Sequence, residues 1–135
     1  MNTLTVPAVL EELQTVLTFI ETALSPFPCP PKTFHAIAIA VEEIFVNIAH
    51  YAYRPDVGEA TIRCEVRRQP VQVTIEFLDS GRPYNPLVHD APDIACSATE
   101  RSIGGLGILM VKNLMDTVKY EYRDGKNILT IQKNM

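Results

Sequence analysis

Glu43-Ile-Phe-Val-Asn47 lies in the second half of a long apolar stretch that begins Phe34-His-Ala-Ile-Ala-Ile-Ala-Val41. The apolar residues run almost all round a helical projection, which predicts a helix from about Lys32 to Tyr53, buried on several sides and ended by Arg54-Pro55. Four residues apart, Glu43 and Asn47 project from the same helix face, one turn above the other. His50 and Arg54 continue that stripe, whereas Ala36, Ile39 and Ala40 begin it on an apolar patch. A carboxylate and an amide emerging from an apolar patch can bind a cation and position a proton acceptor. On the helix alone, the same stripe reads equally well as a solvated face.

Upstream, Thr3 to Val6 is extended and runs into Pro7, which suits the opening of a helix. Val9, Leu13, Val16, Leu17, Ile20 and Leu24 then recur at helical spacing until Ser25-Pro-Phe-Pro-Cys-Pro-Pro31 ends the pattern. Downstream, Ala60, Ile62, Cys64 and Val66 alternate with polar residues, as do Val71, Val73, Ile75 and Phe77, around an Arg68-Gln69-Pro70 turn. One apolar and one wet face describe an antiparallel sheet covered by helices on one side. A turn-rich stretch to about Ser102 leads into a helix carrying Ile108, Leu109, Val111, Leu114 and Met115. Val118, Tyr120 and Tyr122 pair with Ile128 to Gln132 through an Asp124-Gly125 hairpin signal. The order β-α-α-β-β-loop-α-β-β predicts an α+β two-layer sandwich, one domain over residues 1–135.

Two further stretches could carry chemistry. Asp79-Ser-Gly-Arg-Pro-Tyr-Asn-Pro86 directly follows a strand. It reads either as an Asx turn or as a site where Asp79 accepts a hydrogen bond from an exocyclic amine. In the second reading Gly81 lets a flat ring approach the backbone, and Pro83 and Pro86 stiffen the rim. Ile103-Gly-Gly-Leu-Gly-Ile108 places Gly104, Gly105 and Gly107 where a loop becomes a helix. That is either a hinge or a cradle in which free N–H groups and the positive helix end meet phosphate. No GxxxxGK[ST], no Rossmann glycine pattern after a strand, and no H-R-D or D-F-G is present, which excludes a P-loop and the protein-kinase fold.

Taken together, the order and spacing of Glu43-Ile-Phe-Val-Asn47, Asp79-Ser-Gly81 and Gly105-Leu-Gly107 resemble the Bergerat-fold (GHKL) ATPases. The resemblance is closest to the small bacterial anti-sigma factor/serine-protein kinases, and it spans nearly the whole chain, with Glu100-Arg-Ser102 and Leu114-Met-Asp-Thr-Val118 also similar. It implies a mixed, mainly antiparallel sheet under one helical layer. ATP and Mg²⁺ would be the cofactors, with Asn47 ligating the metal and Glu43 acting as general base. Asp79 would read the adenine amine with Gly81 under the ring, beside Pro83. Gly104, Gly105, Leu106 and Gly107 would hold phosphate, and residues 87–103 would form a lid whose one basic residue, Arg101, contacts phosphate. Lys112 is expected to be a surface charge. Many relatives carry a histidine four residues after the asparagine; here Tyr51 stands there and His50 precedes it, so His50 is read as structural.

Composition agrees with a folded cytoplasmic protein. Of 135 residues, 47% are hydrophobic and 21% charged, ordinary globular usage. The longest uninterrupted apolar run, Ala36 to Val41, is too short for a bilayer, and no signal peptide is visible. Twelve basic against sixteen acidic residues give a net charge of -4, which argues against nucleic acid as a partner. Cys29, Cys64 and Cys96 have no metal-site spacing and are expected as isolated thiols. Two functions compete: a kinase that phosphorylates a serine or threonine on a small antagonist protein, and an ATP-dependent module that sequesters a sigma factor with little turnover. Phosphate transfer to an antagonist separates them. A homodimer is implied by family likeness alone. A histidine-kinase domain cut from a receptor is set aside because the elements are complete at both ends.

Overall fold

The structure, a computed structural model, describes residues 2–53, 56–87 and 107–135. Strands β1 (Asn2–Pro7), β2 (Glu59–Arg67), β3 (Gln72–Asp79), β4 (Thr117–Arg123) and β5 (Lys126–Asn134) form one sheet in the order β1-β2-β3-β5-β4. Every described ladder in it is antiparallel. Helices α1 (Leu13–Leu24), α2 (Pro31–Tyr51) and α3 (Gly107–Leu114) form the second layer, with α2 in the middle, packed against both others and against β3.

The helices start and stop where local chemistry dictates. Pro31 opens α2, a position where the missing N–H has no partner to lose. Pro7 does not open a helix, as its sequence context suggested: it ends β1 opposite Glu59, and Val9 is still extended at φ −132°. A three-residue 3-10 turn, Leu10–Glu12, then feeds α1. The edge position of β1 is what tolerates a proline at its end. At the other end of the chain, Asp124 and Gly125 have φ of 55° and 76°, the doubly positive turn that matches strand twist in a two-residue hairpin.

The core lies between the layers. Ile37, Ala40, Val41, Ile44, Phe45 and Ile48 of α2 are buried, so this helix, although long and apolar enough to pass for a membrane span, turns one apolar stripe into the core while Ile39 stays exposed. Phe45 and Phe77 are essentially inaccessible, and burying each stabilises the fold by roughly 1.5–3 kcal/mol. The ladder registers align inward-facing residues in rows. Cys64, Ile75, Ile131 and Val118 make one row, and Ile62, Phe77, Leu129 and Tyr120 the next. The following row is Ala60, Asp79, Asn127 and Tyr122. Among the described residues the buried polar side chains, Asp79 and Asn127, stand together in this row at one end of the sheet, and that end carries the site. Cys29 and Cys64 are free thiols, and burial pushes that of Cys64 up to about 11, so it is packing rather than a nucleophile.

Candidate functional site: a cavity between the central helix and the end of the sheet

Residues singled out in the sequence meet in one cavity. Asn47 enters from α2, Asp79 from the end of β3, and Pro83 from the turn that follows, on the walls of a space of about 630 Å³. Ile44, Ile48, Phe77 and Leu129 give it apolar walls, and Tyr51, Tyr84 and Tyr120 add aromatic ones. Helical spacing explains the α2 contribution: 44, 47, 48 and 51 form one stripe, and Glu43 lies on the same stripe one turn above Asn47. Glu43 is half-buried but not among the cavity-lining residues. Partial burial, and then the neighbouring Glu42 carboxylate, raise its pKa. Tyr51, not His50, occupies the cavity position, and His50 packs half-buried with its ring centroid 6.2 Å from that of Tyr51.

Asp79 is 7% exposed. Its Oδ1 accepts hydrogen bonds from the Gly81 N–H at 2.9 Å and from Asn127 Nδ2 at 3.0 Å. Burial raises its pKa, against the lowering effect of those two donors and of Lys126. Both of these donors fall on the one oxygen, Oδ1. A buried carboxylate between apolar walls is expensive unless something donates to it, which suits a flat ring bearing an amine. Asn127, also 7% exposed, was not singled out in the sequence; it faces Asp79 directly across the β3–β5 ladder.

Gly81 has a different reason from the one expected. A Cβ there would lie 2.2 Å from the carbonyl oxygen of Ala52 and 2.6 Å from its carbon. The glycine lets the turn close onto the end of α2, where the Arg82 N–H donates to that same oxygen at 3.1 Å, and it is not among the cavity-lining residues. Arg82 also reaches the Tyr51 carbonyl through Nη2 at 3.4 Å. Tyr53 fastens the same corner: its hydroxyl donates to the Glu59 carbonyl at 2.5 Å and accepts from the Ser80 N–H at 2.7 Å. We therefore expect Tyr53→Phe to lower unfolding stability by about 1–2 kcal/mol, because two backbone groups lose their partner. Urea denaturation of the apo-protein checks this, and an unchanged midpoint would refute the clamp.

Of the phosphate-loop expectations, Arg101, Gly104, Gly105 and Leu106 lie outside the described residues, while Gly107 is the first residue of α3. Lys112 is not a free surface charge: it is half-buried, and its Nζ donates to the Leu87 carbonyl at 3.4 Å, tying α3 to the chain beyond the cavity rim. Among the described residues no three His, Cys, Asp or Glu side chains cluster as a metal site. A cation here would take the Asn47 amide oxygen and draw its other oxygens from phosphate and water, the usual habit of Mg²⁺.

Comparison with known proteins follows the same geometry. Residues 6–133 match the histidine kinase-like ATPase domain. Serine/threonine-protein kinase BtrW of Bordetella bronchiseptica is 28% identical over 95 residues, covering 70% of this chain and 66% of the relative. Serine-protein kinase RsbW of Bacillus cereus is 30% identical over 98 residues, covering 67% of this chain and 58% of the relative. The match therefore spans less than two thirds of either relative's length. A chain of the SiaB-SiaC complex from Pseudomonas aeruginosa shares the fold, with a TM-score of 0.63 over 100% of this chain and 90% of that chain at 14% identity. Since the family match runs through Asn47 and Asp79 and on to Asn127, covering every strand and helix that builds the cavity, this chain belongs to the histidine kinase-like ATPase domain family.

Proposed function

We propose that this chain binds Mg·ATP in the cavity between α2 and the end of the sheet and transfers the γ-phosphate to a serine or threonine of a small antagonist protein. The observation that carries this reading is the meeting of Asn47 and Asp79 in one cavity, with Glu43 one helical turn above Asn47. The kinase names of the two sequence relatives support the transfer step. In this reading the Asp79 carboxylate accepts a hydrogen bond from the adenine amine, and the apolar walls exclude water from the ring. Asn47 would hold Mg²⁺ through its amide oxygen, and the bound ion supplies charge neutralisation at the phosphates. Gly104, Gly105, Leu106 and Gly107 cradle the phosphates, with Arg101 adding positive charge.

Phosphoryl transfer asks the protein mainly to position groups and stabilise charge. The acceptor hydroxyl oxygen forms its bond to the γ-phosphorus as the bond to the β–γ bridging oxygen breaks. The electron pair leaves with ADP, and the proton passes to Glu43 and then to solvent. Partial burial of Glu43 raises its proton affinity, the direction a base needs. A cytoplasmic setting, a sigma factor as second partner and a homodimer belong to the same proposal.

The test is transfer of labelled γ-phosphate to candidate antagonist proteins by wild type and by Glu43→Ala. A base on this stripe predicts a fall of about 100-fold or more in transfer with ATP affinity nearly unchanged. Transfer that survives the substitution removes Glu43 from its role. ATP-dependent capture of a sigma factor with no transfer to any antagonist would replace the kinase by a binding module.

A further inference from the structure

Asn127 has its whole amide committed. Oδ1 accepts from the Tyr84 N–H at 3.1 Å and from the Tyr120 hydroxyl. Two N–H groups on Nδ2 serve three acceptors: Asp79 Oδ1 at 3.0 Å, the Arg82 carbonyl at 2.8 Å and the Gly81 carbonyl at 3.4 Å. A backbone N–H can only donate, so the Tyr84 contact fixes which end of the amide is oxygen and leaves Nδ2 no choice but to face Asp79. Asp79 Oδ1 already takes the Gly81 N–H. Both donors favour the ionised carboxylate over the protonated one, so losing either makes it easier for the ligand-facing oxygen to take up a proton.

We propose that Asn127 is a positioning residue for base selection, holding Asp79 as a pure hydrogen-bond acceptor so that the cavity takes a purine bearing a 6-amino group and rejects one bearing a 6-oxo group. The inference rests on the nucleotide-binding reading above and adds to it the residue that sets its specificity. The chemistry is a matter of sign. An ionised carboxylate meets an amine donor favourably and a carbonyl oxygen unfavourably; a protonated carboxyl can donate to the carbonyl. Burial pushes Asp79 toward the protonated form, and the Asn127 donor opposes that push. The other charged or titratable groups around it are Lys126 on β5, Tyr120 on β4, Tyr51 on α2, and Arg82 and Tyr84 on the turn. Among the described residues that line the cavity Asp79 is the one carboxylate, and Glu43, which lies outside that lining, is unchanged in the variants below, so its titration cancels in the comparison.

The experiment measures ATP and ITP affinity calorimetrically between pH 5 and 8 for wild type, Asn127→Ala and Asn127→Asp. The alanine variant removes the donor. The aspartate variant keeps the size and the acceptor for Tyr84 and Tyr120 but sets two carboxylates on one site, which drives one of them strongly toward protonation. The midpoint of the acid limb for ATP should rise in the order wild type, Ala, Asp, by about one pH unit or more for Asp. The preference for ATP over ITP should narrow about tenfold or more at pH 6 in both variants. Phosphate ionisation is common to all three proteins and cancels in the comparison. Equal midpoints and an unchanged ATP-to-ITP ratio, with affinity merely reduced, would overturn the proposal and leave Asn127 a structural residue. If alanine does not fold, aspartate decides alone; if neither folds, the proposal falls. A wild type that binds neither nucleotide at millimolar concentration would instead defeat the nucleotide reading, a result distinct from variant-independent binding.

Discussion

Asp79→Asn should abolish ATP binding while leaving the apo-protein at least as stable as wild type. The two effects separate because both protein donors fall on one oxygen of Asp79, while the proposed ligand would take the other. The substituted asparagine can keep its oxygen toward the Gly81 N–H and Asn127 Nδ2, so the internal hydrogen bonds survive. Its NH₂ then points into the cavity, where donor meets donor, and a buried unsatisfied group costs up to about 3 kcal/mol, or roughly 150-fold in affinity. Stability moves the other way. Burial raises the pKa of Asp79, so its contribution to the fold is favourable below the unfolded-state value and is lost as pH rises through the raised folded value. At neutral pH the ionised side chain is therefore a burden that asparagine removes. Wild type at a ligand concentration about 100 times Kd should gain roughly 2.7 kcal/mol in thermal unfolding, and the variant none. The apo-proteins should converge in Tm as pH falls and Asp79 takes up a proton. A variant that melts well below wild type at pH 7, or that still binds ATP, would refute the division of labour between the two oxygens.

Asn47 and Asp79, which line one cavity, were both legible from the chain, whereas Glu43, singled out with them, stands outside that lining. Asn47 declares itself by helical spacing from Glu43, and Asp79 by standing at the end of an alternating strand in phase with Val73, Ile75 and Phe77. That phase is why it faces the helices. Asn127 stands in the same phase with Leu129 and Ile131, two and four residues on, and could have been found by that rule. Ile128 hid it: an apolar residue on the outward face, buried beside its cross-strand partner Leu78, breaks the alternation that would have marked Asn127 as inward. A continuous run such as Ile128-Leu-Thr-Ile131 does not show which face is which.

Other residues were recognised for the wrong reason, and the common cause is that sequence spacing carries no information about long-range neighbours. Pro7 looks like a helix opener until β2 pairs with it. Lys112 looks like a solvated charge until the chain after β3 brings the Leu87 carbonyl beside it. The turn after Asp79 announces itself through Ser-Gly and Pro. What it closes against, the last carbonyls of α2, depends on how a helix from one part of the chain docks on a strand end from another.

Gly81→Ala tests that docking and should be the most damaging small substitution in the site. The added methyl would stand 2.2 Å from the Ala52 oxygen and 2.8 Å from its Cβ, both far inside contact distance. The obstacle is the end of a helix whose preceding turns are packed in the core, so the helix cannot yield and the turn must. Moving the turn lengthens or breaks the Arg82 N–H to Ala52 bond, the Gly81 N–H to Asp79 bond and the Asn127 contact to the Arg82 carbonyl. Overpacking of this kind costs about 1–3 kcal/mol, and each severed bond adds to it, so we expect a loss of about 3 kcal/mol in urea denaturation. ATP binding should fall with it, since Asp79 loses one of the two donors that orient its carboxylate. Gly81→Ala and Asp79→Asn thus lie at opposite corners: one loses the fold and the ligand together, the other the ligand alone. A Gly81→Ala protein as stable as wild type would mean that the turn can leave α2 without cost, and that the hydrogen-bonded corner around Asn127 does not depend on the helix end.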